Sequence, residues 1–265
     1  MKSRKEKLKE SSRNPNFIPG IYNYCDRWCE KCYMASQCLQ FEANKIFAQP
    51  SHAADLKNKQ FWDHLSEIFH TTIEMLEDQA EELGIDLDIT HYVQQIEGNV
   101  LESVDKQTDI IFDATNYGEK VSEWFSETAE ELVDLRKKEL HLHSELDIPV
   151  NDTIDELVKI ENAIEVIMWY HFFISTKLRR ANYSRENTDN SLIEIAKYDS
   201  DGSAKVALIA IERSIGAWGK LLDYIPEKED DIFDYLKMLH QLKEKVENEF
   251  PDACNFVRPG FDTNE

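Results

Sequence analysis

From about residue 54 to residue 249 the apolar residues recur at three- and four-residue steps, a spacing that lines up as a continuous face only on a helix. No run alternates β-branched and polar residues as a half-buried strand would, and the 265 residues include only 8 Gly and 7 Pro to interrupt a helix. The expected fold is all-α: a helical bundle of four long helices plus shorter helices, with a cysteine-rich metal module at its amino-terminal edge. Hydrophobic residues make up 42% of the chain, enough for a bundle with a core of its own.

At 100° per residue, the segment from about 54 to 83 puts Phe61, Trp62, Leu65, Ile68, Phe69, Thr72 and Leu76 on one face, with Gly84 as its stop. A short helical stretch near 88–103 precedes the second long segment, about 106–143, which carries Ile110, Ala114, Tyr117, Val121 and Trp124 and cannot continue past Pro149. The third opens with Thr153 and Glu156 at capping-box spacing and runs to about 180. It is apolar nearly all round between 163 and 174, as a central helix enclosed by others would be. Two polar loops, NYSRENTDNS and DSDGS, lead to the fourth, in which Ala207, Ala210, Ser214 and Ala217 form a small-residue stripe that admits a close neighbour. A final helix over about 228–249 has Ile232, Leu236, Leu239, Leu242 and Val246 at heptad-like spacing. The organisation this implies is a disordered basic leader (1–16), a four-cysteine module (17–41), the bundle (50–250) and a tail (251–265).

The module is the stretch YCDRWCEKCYMASQC, in which Cys25, Cys29, Cys32 and Cys38 stand at C-x3-C-x2-C-x5-C spacing. Four thiolates within fourteen residues can surround one metal centre with little loop entropy. The leader MKSRKEKLKESSR holds two Glu, no apolar stretch and no small-residue cleavage site, so it does not read as a secretory signal. The location this implies is cytoplasmic, where thiols stay reduced and a tight cluster binds metal rather than pairing into disulfides. Were the segment helical, Cys25, Cys29 and Cys32 would spread over about 10 Å of axis, which suits a 4Fe-4S cluster. A tetrahedral Zn²⁺ needs its sulfurs about 3.8 Å apart. Both cofactors stay open at this point, in a structural or redox-sensing role. Whether the chain is also an enzyme is open too.

The run C-x2-C-x5-C is similar to the cysteine box of iron-sulfur nucleases of recombination and CRISPR adaptation, and C-x3-C-x2-C has the spacing of radical SAM enzymes. Those families add an α/β nuclease core or a β/α barrel that this helical pattern lacks, so their activities do not carry over. Residues 17–32, FIPGIYNYCDRWCEKC, resemble the amino-terminal module of a family of uncharacterised bacterial proteins with a helical body. The resemblance covers residues 17–41 and implies a family-level cysteine module, without an activity. Tyr22, Tyr24, Trp28 and Tyr33 are expected to shield it.

Asp and Glu outnumber Lys and Arg 52 to 30, and the resulting charge of -22 repels nucleic acid and anionic membrane while suiting a basic protein partner. The longest apolar run, VIMWYHFFI, is too short to span a bilayer and is interrupted by His171. Glu67 and His70 reproduce the E-x-x-H of di-iron bundles, but with Asp63, Glu74 and Glu77 they lie away from the apolar face and read as solvated. An enzymatic alternative places Glu161, Glu165 and His171 around a site inside the bundle. The plainer expectation makes His171 a hydrogen-bonded core histidine and pairs Glu165 with Arg213. Arg136 and His141 match the loose R-x4-H of HEPN-type ribonucleases, a pattern with little content beside Lys137 and Lys138. Asp199, Asp201 and Gly202 fail as a calcium loop because Lys197 and Leu208 occupy its first and twelfth positions. Cys254 reads as a lone structural thiol.

Overall fold

The structure is a computed structural model that describes residues 3–48, 58–84, 108–145, 151–186 and 193–262, with the side chains of 129–137 and 139–154 excepted. The described residues are helical and contain no strand. Their eight α-helices are α1 (Arg4–Ser12), α2 (Leu39–Ile46), α3 (Lys59–Leu83), α4 (Asp109–Glu145), α5 (Asn151–Tyr170), α6 (Phe173–Glu186), α7 (Ile193–Tyr224) and α8 (Glu229–Glu249). The chain divides into two compact units, Met1–Lys106 with Arg258–Glu265, and Gln107–Val257.

In the second unit α5, α6 and α8 all pack on α7. Ala207, Ala210, Ser214 and Ala217 are buried, as their spacing implies, and Leu208, Ile211, Trp218 and Leu221 fill the space beside them. The central helix is therefore the fourth long segment and not the third. The third breaks at His171 and Phe172 into α5 and α6, leaving Met168, Trp169 and Phe172 exposed. Two local causes account for the break. The His171 ring Nδ1 lies 2.6 Å from the Met168 carbonyl, competing for an acceptor of the helix ladder. Gly118 of α4 lies against the break, where a Cβ would come within 2.8 Å of the His171 carbonyl oxygen. DSDGS, expected to be a loop, is helical within α7. The Asp199 carboxylate accepts from Arg180 Nε at 3.0 Å and Ser184 Oγ at 2.7 Å, and the Ser200 hydroxyl donates to the Ala181 carbonyl at 2.9 Å. Those tertiary bonds outweigh the local turn preference of Asp and Ser.

The first unit contains α1 to α3, three short 3₁₀ turns, and the carboxyl-terminal residues from Arg258. The α3 boundaries follow their signals: Asn58 accepts from the Gln60 amide at 3.0 Å, and Gly84 ends the helix at φ 67. The leader, expected to be disordered, is helical as α1. Ser3 and Glu6 form a reciprocal capping box at 3.1 and 2.8 Å. Lys5 then reaches Glu74 at 3.1 Å and Asp78 at 3.0 Å, Lys9 reaches Asp78 at 2.5 Å, and Arg4 pairs with Glu67. So one edge of the α3 acidic face, expected to meet only water, holds a basic helix. The stretch 88–103 and the side chains of Arg136, His141 and Thr153 lie outside the described residues.

Candidate metal centre

The cysteine segment is not α-helical, so the axial spread of its thiols over two turns does not arise. Cys29–Lys31 is a 3₁₀ turn closed by the Cys32 amide on the Cys29 carbonyl at 3.3 Å, and Ala35–Gln37 is another, closed by Cys38 on Ala35 at 3.3 Å. Between Cys25 and Cys29 the chain reverses through Arg27, the one described non-glycine residue in the left-handed region, at φ 61. Asp26 Oδ1 steadies that turn by accepting from the Trp28 amide at 3.2 Å.

Cys25, Cys29, Cys32 and Cys38 are half-buried and line a single cavity of about 20 Å³. Burial pushes the Cys29 thiol above its ordinary pKa, and Cys25, Cys38, Glu30 and Cys32 add to the shift through their charges. The Cys25 thiol donates to the Tyr22 carbonyl at 3.6 Å. Among the described residues no group of three or more His, Cys, Asp or Glu side chains is placed to hold a metal ion. The four thiols thus share a cavity without standing in ligand geometry.

Ile21, Trp28, Phe41 and Phe261 supply apolar wall. Tyr24 and Trp28 are buried, and the Lys31 ammonium lies 4.3 Å from the centre of the Trp28 ring. Tyr33, expected to shield the site, is exposed and meets Phe261 edge-on at 5.8 Å. Phe261 belongs to a part of the site that the cysteine spacing did not point to. Arg258–Asp262 forms a compact turn in which the Arg258 guanidinium pairs with Asp262 at 2.8 and 3.0 Å and covers the Phe261 ring at 5.0 Å. Gly260, at φ 75, lies so close to Ile18 and Ile21 that a Cβ would come within 2.8 and 2.9 Å of their methyl carbons. The sequence signal for this turn was the Pro-Gly pair followed by an aromatic residue.

The other candidates are dispersed. Glu161 and Glu165 are exposed on α5, while His171 is half-buried at the helix break, its pKa lowered by burial and its hydrogen bond made within its own turn rather than across the bundle. Arg213 donates to the Tyr170 hydroxyl at 2.5 Å. His70 and Glu77 are exposed, and Glu67 and Glu74 are engaged by α1. Cys254 is exposed and so is no packing element of a core.

No family model matches the chain, and no curated protein or solved structure matches it either. No helix among the described residues is long and apolar enough to cross a membrane.

Proposed function

We propose that Cys25, Cys29, Cys32 and Cys38 bind one metal ion, Zn²⁺, which staples the first unit. The observation that carries this reading is the lining of one small cavity by all four thiols. A volume of about 20 Å³ is enough for a single ion or water, whereas a 4Fe-4S cluster would require the walls to open. Coordination needs the thiols to turn inward and lose their protons; the raised pKa of Cys29 makes the ion itself the agent that drives its proton off. The few buried apolar residues among the described part of this unit support a structural role. Redox sensing through the same thiolates, in a reducing compartment such as the cytoplasm, is compatible with it. The resemblance of residues 17–32 to a bacterial cysteine module agrees with a site of this kind.

Anaerobic purification with elemental analysis and visible spectroscopy tests the reading. The expected result is colourless protein with one zinc per chain, lost in the Cys29→Ser, Cys32→Ser double variant. Brown protein with iron and sulfide would replace zinc by a cluster, and four freely alkylated thiols without metal would remove the site.

A further inference from the structure

Phe261 closes one wall of the cysteine cavity from far along the chain, and the turn that carries it is built to hold its own shape. Within Arg258–Asp262 the Phe261 and Asp262 amides donate to the Arg258 carbonyl at 3.2 and 3.1 Å. The Arg258 guanidinium grips both carboxylate oxygens of Asp262, Nη2 on Oδ1 at 2.8 Å and Nε on Oδ2 at 3.0 Å, and the Arg258 amide adds a bond to Oδ2 at 2.9 Å. The two side chains are 14% and 27% exposed, so solvent screens this fork only in part. What the turn presents to the module is apolar. The Phe261 ring stands in the cavity wall and edge-on to Tyr33, and the Gly260 backbone lies against Ile18 and Ile21.

We propose that Arg258–Asp262 is a lid on the cysteine cavity, which lifts as a unit and so sets the rate at which metal and thiol reagents reach Cys25, Cys29, Cys32 and Cys38. A cavity of about 20 Å³ has room for one ion or water. A hydrated ion or a maleimide is larger, so its entry requires a wall to move. Among the described lining residues Phe261 alone comes from outside residues 21–41, which makes its turn the wall that can leave without unmaking the cysteine segment. The bonds that shape the turn travel with it. Its grip on the module is one half-buried ring and one glycine contact, few enough to open locally far more often than the unit unfolds. The chain enters the turn through Val257, which is 41% exposed and outside any helix. The metal half of this proposal rests on the zinc site proposed above; the thiol half does not.

The test is alkylation of the full chain, as purified, with N-ethylmaleimide, followed cysteine by cysteine by peptide mass spectrometry, with exposed Cys254 as the reference in the same molecule. Phe261→Ala should speed modification of the four module cysteines roughly tenfold relative to Cys254, with circular dichroism unchanged. Phe261→Leu, which keeps an apolar cover, should retain most of the protection. Asp262→Asn opens the guanidinium fork without touching the cavity wall and should give a several-fold increase. In zinc-loaded chain Phe261→Ala and Asp262→Asn should pass zinc to a chromogenic chelator faster by similar factors, while each chain still binds one ion. Unchanged rates in Phe261→Ala would overturn the lid. So would acceleration in Phe261→Ala with none in Asp262→Asn, which would make the ring a fixed wall, or a fall in zinc content in Phe261→Ala, which would make the ring part of what holds the ion. A chain purified without metal would refute the zinc site, and the alkylation ratios would still decide the lid.

Discussion

Trp218 is enclosed on every side in the second unit: it stacks on Tyr235 at 4.6 Å and 11°, meets Trp124 edge-on at 5.4 Å, and donates its indole hydrogen to the Tyr117 hydroxyl at 3.0 Å. Among its described residues the first unit has nothing comparable. Its buried apolar residues, among those described, are Ile21, Tyr24, Trp28 and Ala80, and its helices α1 and α3 meet through lysines and carboxylates. One unit is held by apolar burial, which is cooperative and is not screened by salt. The other is held by short turns, surface ion pairs of small individual worth and, on the proposed reading, a metal ion. Small units with too little core commonly need such a staple.

The two units should differ most on removal of the proposed metal. Structural zinc sites contribute on the order of 10 kcal/mol of apparent folding energy, so chelation, or the Cys29→Ser, Cys32→Ser double variant, should abolish the ordered state of residues 17–41 while most helix signal survives. Limited proteolysis checks this: cuts should appear between Ile18 and Phe47, with the fragment from Asp109 to Phe256 resistant. Loss of most far-ultraviolet ellipticity would show that the two units do not fold separately.

The second unit should fail only through its own core. Trp218→Ala removes a fully buried indole and should cost about 3–5 kcal/mol, read as a fall in the main thermal transition with unchanged zinc content. Tyr117→Phe leaves the Trp218 donor without its acceptor and should cost about 1–3 kcal/mol. Alkali acts on the same cluster. Burial first, then the charge of Asp231, pushes Tyr235 up to about 12, and Tyr117 rises further. Below about 10 both states keep the phenol protonated. Above it the unfolded chain ionises first, so this contribution to stability declines as pH climbs through the Tyr235 value.

Much of the second unit was readable in the sequence because burial imposes periodicity: Ala207, Ala210, Ser214 and Ala217 announced the close-packed face of α7 before any contact was known. What local pattern could not give was the break at His171, which depends on Gly118 more than fifty residues earlier, or the helical state of DSDGS, which depends on Arg180 and Ser184. In the first unit the spacing picked out four cysteines that do share a cavity. It was silent on their 3₁₀ turns and on the contribution of Phe261, because a tail that returns across the whole length of the chain leaves no periodic trace.

Two glycines separate the units at a smaller scale. Gly118→Ala drives a Cβ to 2.7 Å from the Phe172 ring and 2.8 Å from a backbone oxygen, which cannot yield easily. It should cost roughly 1–3 kcal/mol, in the main transition alone. Gly260→Ala meets movable methyl carbons but forces a side chain to φ 75, a strain of about 1 kcal/mol. Its effect should appear as several-fold faster alkylation of the module cysteines, with the main transition unmoved.

The smallest effect concerns α1, and it separates the two kinds of cohesion by salt and pH. Lys9 and Lys5 hold the Asp78 carboxyl below its usual range, and Asp78 with Glu74 holds Lys5 above its own. A depressed carboxylate contributes above its unfolded pKa and is lost as pH falls through the folded value. A raised lysine contributes below its unfolded pKa and is lost as pH rises through the folded one. Docking of α1 should therefore be flat between about pH 5 and 10. Salt is the effective lever: at 1 M the screening length falls to about 3 Å, and all these pairs are at least partly open to solvent. Tryptic cleavage at Lys5, Lys7 and Lys9 should speed up several-fold on going from low salt to 1 M NaCl, while cleavage within Asp109–Phe256 stays constant. Equal acceleration in both places would mean that charge also holds the second unit, and the contrast between the units would fail.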